Sequence, residues 1–225
     1  AEGEAGQGNL SQTRKEVPGT EEDGPESGLM LLGLSEEGES EVLMGNQMVG
    51  SAAELKALGG QTIEGNVVLT DDIDMDGLDM TPIAKLTGTF DGAGYTIENL
   101  TLTGGQGSYG AFVNTGLIGE LEGAVINLKV TNLSLTGVKS FSYAGGLVGL
   151  VTAASESKID NCIVSGSGDA SGASSQMYLG GLVGYVSGSV DNPTKLAIRN
   201  CVSDMALTAG RGCYVGGLLG TAQYY

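Results

Sequence analysis

The 225-residue chain has no histidine and no tryptophan, only 4 prolines and 3 cysteines, and just 5% aromatic residues. Without imidazole there is no Ser-His-Asp or Cys-His nucleophile, no histidine general base and no histidine-ligated zinc or haem. Catalysis would have to rest on carboxylates, lysine, tyrosine or cysteine. Positive charge is scarce too: 10 Lys and Arg against 27 Asp and Glu give a formal net charge of -17. Such a chain repels a phosphate backbone and an anionic lipid surface, so nucleic acid is excluded as a partner. No apolar run has the length of a membrane-spanning helix, and no membrane insertion is expected.

What the chain has in excess is glycine, 40 residues interleaved with Leu, Val, Ile and Thr. With so few prolines this is neither a linker nor collagen. The glycines punctuate many short strands, and the expected class is all-β. Residues 1–41 differ in kind. Acidic and rich in Gly, Ser, Pro and Gln, they read as a largely disordered leader interrupted by an apolar patch at 29–34. No basic and apolar signal opens the chain, so a signal peptide was removed before Ala1 or none existed. Residues 42–88 are expected to form an N-terminal cap. Within it Ser51 and Glu54 make a capping box and Gly59-Gly60 a stop, which predicts one helix over 52–58.

From about residue 89 the chain repeats. Gly116-Leu-Ile-Gly119, Gly146-Leu-Val-Gly149, Gly181-Leu-Val-Gly184 and Gly217-Leu-Leu-Gly220 are one pattern four times, each preceded by an asparagine: Asn99, Asn127, Asn161 and Asn200. The spacing from asparagine to Gly-Leu is 17, 19, 20 and 17 residues, whereas Gly-Leu to the next asparagine varies from 11 to 15 to 19. Length variation confined to one segment is how a solenoid takes insertions. Positions two before each asparagine (Ile97, Val125, Ile159, Ile198) and one after it (Leu100, Leu128, Cys162, Cys201) are both apolar. A straight strand would face them in opposite directions, so the chain must bend there, and asparagine tolerates the left-handed backbone a sharp bend needs. The fold expected is a right-handed parallel β-helix over residues 89–225. A β-sandwich or propeller is the weaker reading.

Gly-Gly-Leu-Val-Gly at 145–149 and 180–184, with Ile-Asp-Asn-Cys at 159–162 and Ile-Arg-Asn-Cys at 198–201, resembles the GLUG-motif repeats. The upstream runs at 69–75 and 87–97 resemble the segment that leads into such repeats. The resemblance covers roughly residues 51–225. It departs at Met80-Thr81-Pro82-Ile83, where members often carry tryptophan. It implies a parallel β-helix in a large extracellular bacterial protein, adhesin-like or in the non-catalytic region of an immunoglobulin A peptidase. It brings no catalytic residues.

Three groups are candidate sites. Asp72, Asp74 and Asp76 with Gly77 match the start of a calcium loop, but Ile83 stands where a bidentate glutamate belongs, so a solvated acidic edge is the favoured reading and no metal is assigned. Glu98, Ile126, Asp160 and Arg199, each just before its asparagine, form an outward row that places acid beside base without a pair of adjacent carboxylates, so no catalytic residue is assigned. Cys162 and Cys201 fill one inward slot of neighbouring coils. Buried thiols are favoured there over a disulfide, with Cys213 unpaired and more accessible. No cofactor is expected.

The expected function is a non-catalytic, secreted or cell-surface bacterial binding or stalk module of the adhesin-like kind, whose partner is a host or bacterial surface protein or glycan. A polysaccharide hydrolase or lyase on the same fold, or a pure spacer, is the alternative. The recognition surface is expected along 119–125, 149–159 and 184–198, a ridge of growing length, with 167–176 as the competing arc. Because 221–225 supply no corner to cover the last coil, a longer repeat protein or a covering segment is also expected.

Overall fold

The structure is a computed structural model and describes residues 42–152, 156–189, 191 and 193–224. The leader at 1–41, with its apolar patch, lies outside the described residues. The rest winds coil upon coil. The chain starts with β1 (Val42–Leu43), β2 (Gln47–Val49) and helix α1 (Ala52–Ala57), then β3 (Thr62–Ile63), β4 (Val67–Leu69), β5 (Ile73–Asp74) and β6 (Asp79–Met80). The next coil runs through β7 (Ile83–Leu86), β8 (Thr89–Asp91), β9 (Thr96–Glu98), β10 (Thr101–Thr103) and β11 (Val113–Thr115). Then come β12 (Ile118–Leu121), β13 (Ala124–Ile126), β14 (Lys129–Thr136) and β15 (Ser142–Gly145), and β16 (Val148–Val151), β17 (Glu156–Asp160), β18 (Ile163–Ala170) and β19 (Met177–Gly180). Last are β20 (Val183–Gly188), β21 (Lys195–Arg199), β22 (Val202–Ala209), β23 (Cys213–Gly216) and β24 (Leu219–Tyr224).

All pairings of these strands are parallel and join one coil to the next, as in β7-β12-β16-β20-β24, β8-β13-β17-β21 and β11-β15-β19-β23. This is the expected parallel β-helix. The segment 42–88 contributes to the same stacks, because β3 pairs with β7 and β4 with β8. Helix α1 leaves the stack between β2 and β3. Ser51 caps it by accepting from the Glu54 N–H at 3.3 Å, while the Glu54 carboxylate accepts from the Gly50 N–H at 2.8 Å.

Inward residues form columns one coil-step apart. Ile83, Ile118, Val148 and Val183 are register partners and all are fully buried, as are Leu117, Leu147 and Leu182 of the Gly-Leu repeats. Each such side chain contributes roughly 1.5–3 kcal/mol of burial. In the last coil the counterparts of Leu182 and Leu179 are open: Leu218 is 44% exposed and Val215 47%.

The asparagine corners are present, with φ of 56°, 52°, 55° and 53° at Asn99, Asn127, Asn161 and Asn200. Their alignment needs one correction. Val125 pairs with Phe90 and Ile159, whereas Ile97 pairs with Val130. Asn99 is therefore in register with Asn132 (φ 54°), not with Asn127. The coil that starts at β7 bends twice, first at Ala93-Gly94 (φ 51° and 88°) and again at Asn99. Ala93 is held in its turn by donating its N–H to the Asp91 carboxylate at 2.8 Å. The second bend weakens toward the C-terminus. Asn132 falls at a register shift and has no counterpart in β18, where Gly166, opposite Leu133, takes φ 148°, and β22 runs on without a bend through Met205.

The corner amides are stacked. Asn127 donates to Asp91 at 3.1 Å, Asn161 to Asn127 at 3.0 Å and Asn200 to Asp160 at 3.0 Å. At the second bend Asn132 donates to Asn99 at 2.6 Å and Asn99 to Asp74 at 2.8 Å.

Candidate functional site

The outward row expected from the sequence is reordered by the corrected register. It reads Asp91, Ile126, Asp160, Arg199, and Glu98 belongs to a different column beside Thr131. Asp160 sits against Lys158 at 2.8 Å and accepts the Asn200 amide. The lysine ammonium, then that amide, hold its carboxyl below the usual carboxylate range. This is a corner brace rather than an acid–base pair. Asp72 and Asp74 are likewise committed: Asp72 accepts the Thr96 N–H at 2.7 Å, and Asp74 accepts from Asn99 and from the Asp76 N–H. Ile73 and Met75 between them are buried. Among the described residues no group of three His, Cys, Asp or Glu converges as a metal site.

Cys162 and Cys201 are free thiols in adjacent coils, and Cys213 is free as well. Cys162 is buried, which pushes its thiol up to about 12, while Cys201 and Cys213 are half-buried. Another cluster was not anticipated. Lys85 bridges Glu122 at 2.7 Å and Glu120 at 3.3 Å, and the Thr152 hydroxyl donates to Glu120 at 3.0 Å. The Glu122 hydrogen bond, chiefly, raises the lysine pKa.

The expected ridge is mostly strand, since 119–125, 149–159 and 184–198 contain parts of β12, β13, β16, β17, β20 and β21. Part of its loop length falls outside the described residues. Its C-terminal stretch borders a cleft of about 600 Å³ between β21 and β24, floored by Leu196, Ile198, Leu219 and Ala222. That cleft is the unclosed core of the last coil.

The most distinctive surface lies elsewhere, between the β11-β15-β19-β23 sheet and the β12-β16-β20-β24 sheet. Each chain passage between them runs through a Gly-Leu repeat. A Cβ at Gly184 would lie 2.5 Å from the Ala144 backbone nitrogen, and one at Gly149 would lie 2.8 Å from that of Thr115. Only glycine lets the outer faces of the two sheets approach so closely. The result is a re-entrant groove where the other corners are convex.

Aromatic side chains fill it. Tyr143, Tyr178 and Tyr214 are register partners on three coils and point outward from β15, β19 and β23. Phe112 stacks on Tyr143 (4.5 Å between centroids, 4° between planes), and Tyr178 stacks on Tyr214 (5.0 Å, 7°). Tyr143 and Tyr178 are 5.5 Å apart. From the opposite wall Tyr185, only 2% exposed, stacks on Tyr143 at 4.4 Å and meets Tyr178 edge-on at 4.9 Å. Its hydroxyl donates to the Gln223 side chain at 3.0 Å. At the mouth, Tyr109 on the Ser108–Ala111 turn is 85% exposed. Together Tyr109, Phe112, Tyr143, Gln176, Tyr178 and Gln223 border an open cleft of about 400 Å³.

The sequence carried a signal for this groove: Tyr143-Ala-Gly-Gly-Leu147, Tyr178-Leu-Gly-Gly-Leu182 and Tyr214-Val-Gly-Gly-Leu218 place a tyrosine at one fixed offset from the glycine pair. Of the expected surfaces, the arc at 167–176 reaches it through Gln176, and the ridge segment 184–198 reaches it through Tyr185.

Among the described residues no helix is long and apolar enough to cross a membrane. No family model matches the chain, and no curated protein matches it. Among solved structures the chain is similar, over 79% of its length and 73% of the other, to one from Bacteroides ovatus described as a "putative immunoglobulin A1 protease", with 19% identity and a TM-score of 0.43.

Proposed function

We propose that the chain is a non-catalytic, adhesin-like binding module of a secreted or cell-surface bacterial protein, and that the aromatic groove is its recognition surface. The groove is the observation that carries the reading. Its rings are fixed by stacking on a rigid sheet before any ligand arrives, so little side-chain entropy is lost on binding. The resemblance of the repeats to GLUG motifs supports the extracellular setting.

Saturable binding of the labelled chain to bacterial or host cell surfaces, lost in Tyr109→Ala, is the expected result. Absence of any binding would leave a structural spacer. The competing enzyme reading has one feature in its favour, the convergence of Glu120 and Glu122 at Thr152. Both carboxylates are, however, held by Lys85, which suits a surface brace better than an acid and a base of different pKa. Turnover of a polysaccharide that disappears in Glu120→Gln would overturn the non-catalytic reading.

A further inference from the structure

We infer that the groove binds a neutral oligosaccharide, an inference that rests on the reading of the chain as a binding module and names the ligand class. A sugar ring offers faces of C–H groups and a rim of hydroxyls. The groove offers the counterparts of both. Tyr109 supplies an unstacked ring for a sugar face, and the stacked rings of Phe112, Tyr143 and Tyr178 extend the apolar wall beside it. The Gln176 amide brings a donor and an acceptor for the rim, and Gln223, whose Oε1 accepts from Tyr185, brings its amide N–H groups. Gln176 reaches the cleft from a left-handed corner with φ 43°, an uncommon conformation for glutamine. Tyr109 joins no ring pair among the described residues, and at 85% exposure its faces are left to solvent.

Charge and size narrow the class. None of these six residues carries a charge, on a chain whose net charge is -17. A uronate or sialylated chain would meet repulsion with no cation among the residues bordering the cleft to offset it. A volume of about 400 Å³ suits a small ligand, whereas a protein partner needs roughly 800 Å² on each side. Because the rings recur at 4.5, 5.5 and 5.0 Å from coil to coil, the wall is elongated along the stack. That shape favours several linked sugars over a monosaccharide.

The test uses the full chain and a panel of neutral hexasaccharides built of glucose, mannose, galactose or N-acetylglucosamine, with hexagalacturonate as the anionic comparator. Titration calorimetry gives affinity, and tyrosine emission, unobscured by tryptophan, reports on the groove. At least one neutral hexasaccharide should bind and perturb the emission, and hexagalacturonate should not. Tyr109→Ala, on an exposed turn, should weaken Kd by about tenfold or more, the order expected for one lost aromatic contact. Gln176→Asn, which keeps the left-handed corner, should weaken binding in the same direction.

No neutral binder up to millimolar concentration, preferential binding of the galacturonate, or an affinity unmoved by Tyr109→Ala would overturn the inference. If cell-surface binding is lost in Tyr109→Ala and is abolished by protease treatment of the cells but not by glycosidases, the saccharide assignment falls while the binding-module reading stands. If neither cells nor saccharides bind, both fall.

Discussion

The asparagine corners and the aromatic groove are two ways of turning the same chain, and they differ in what the turn costs and what it exposes. At the corners the chain bends outward. A side chain with a tolerated left-handed backbone makes the bend, and its amide is bonded to the coil next to it. At the groove the chain folds back on itself, which requires side chains to be missing at Gly149 and Gly184. Rings from the flanking strands then occupy the space. The convex turn has spent its polar groups on its own structure. The concave turn has a surface left over, and that contrast is why a binding function is proposed for the groove.

The strongest way to break the contrast is Gly184→Ala. The added carbon would lie 2.5 Å from backbone that cannot move independently, so a loss of about 3 kcal/mol or more, or failure to fold, is expected by chemical denaturation. If the variant is as stable as the parent, the groove is not held open by glycine. Next comes Asn161→Leu, which forces a left-handed φ on leucine and removes the bond to Asn127. About 1–3 kcal/mol should be lost, with saccharide affinity of the folded protein unchanged. Asn161→Gly keeps the backbone and loses only the bond, so it should cost about 1 kcal/mol and separate the two contributions.

Acid should act on the corners and not on the groove. Asp74 and Asp160 have carboxyls held below their ordinary range, by the Asn99 amide and the Asp76 N–H in one case and by Lys158 and Asn200 in the other. A folded value below the unfolded one stabilises the fold above about pH 4, and that contribution is lost as pH falls through the folded value. Thermal midpoints should therefore drop below about pH 4, whereas saccharide affinity should stay flat from pH 5 to 8, since the seven residues bordering the cleft include no carboxylate, lysine or arginine. The smallest effect is expected at Gly217→Ala. This glycine belongs to the same repeat, but a Cβ there meets nothing within 4 Å, and stability should move by less than about 0.5 kcal/mol.

The corners were legible in the sequence because the same residue recurs where backbone sterics demand it. Asn127, Asn161 and Asn200, with Val125, Ile159 and Ile198 two positions earlier, give the right corner and the right inward column. Asn99 misled because its coil bends twice, and the true partner of Val125 is Phe90, followed by an Asp-Gly-Ala-Gly turn with no asparagine to mark it. The groove was harder to read. Glycine periodicity shows that side chains are absent but not which faces then approach each other. Tyr185, moreover, is buried from the outer side of β20, where a pattern of alternation places a solvent-facing residue. Only the fixed tyrosine offset before the glycine pair carried the information.

The stacked amides also give the rod a direction. Every link points its N–H groups the same way: Asn66 to Asn46, Asn127 to Asp91, Asn161 to Asn127, Asn200 to Asp160, Asn132 to Asn99 and Asn99 to Asp74, each time from the later coil to the earlier one. Aligned dipoles add, as they do along a helix, so each column is positive at its early end and negative at its late end. The residues found at the early ends of three of these columns are Asp74, Asp91 and Asp160, groups that accept without passing a proton on and bring negative charge to the positive pole. An ionised aspartate can thus start a column but cannot continue one, and at Asp160 a new column begins in the middle of the stack.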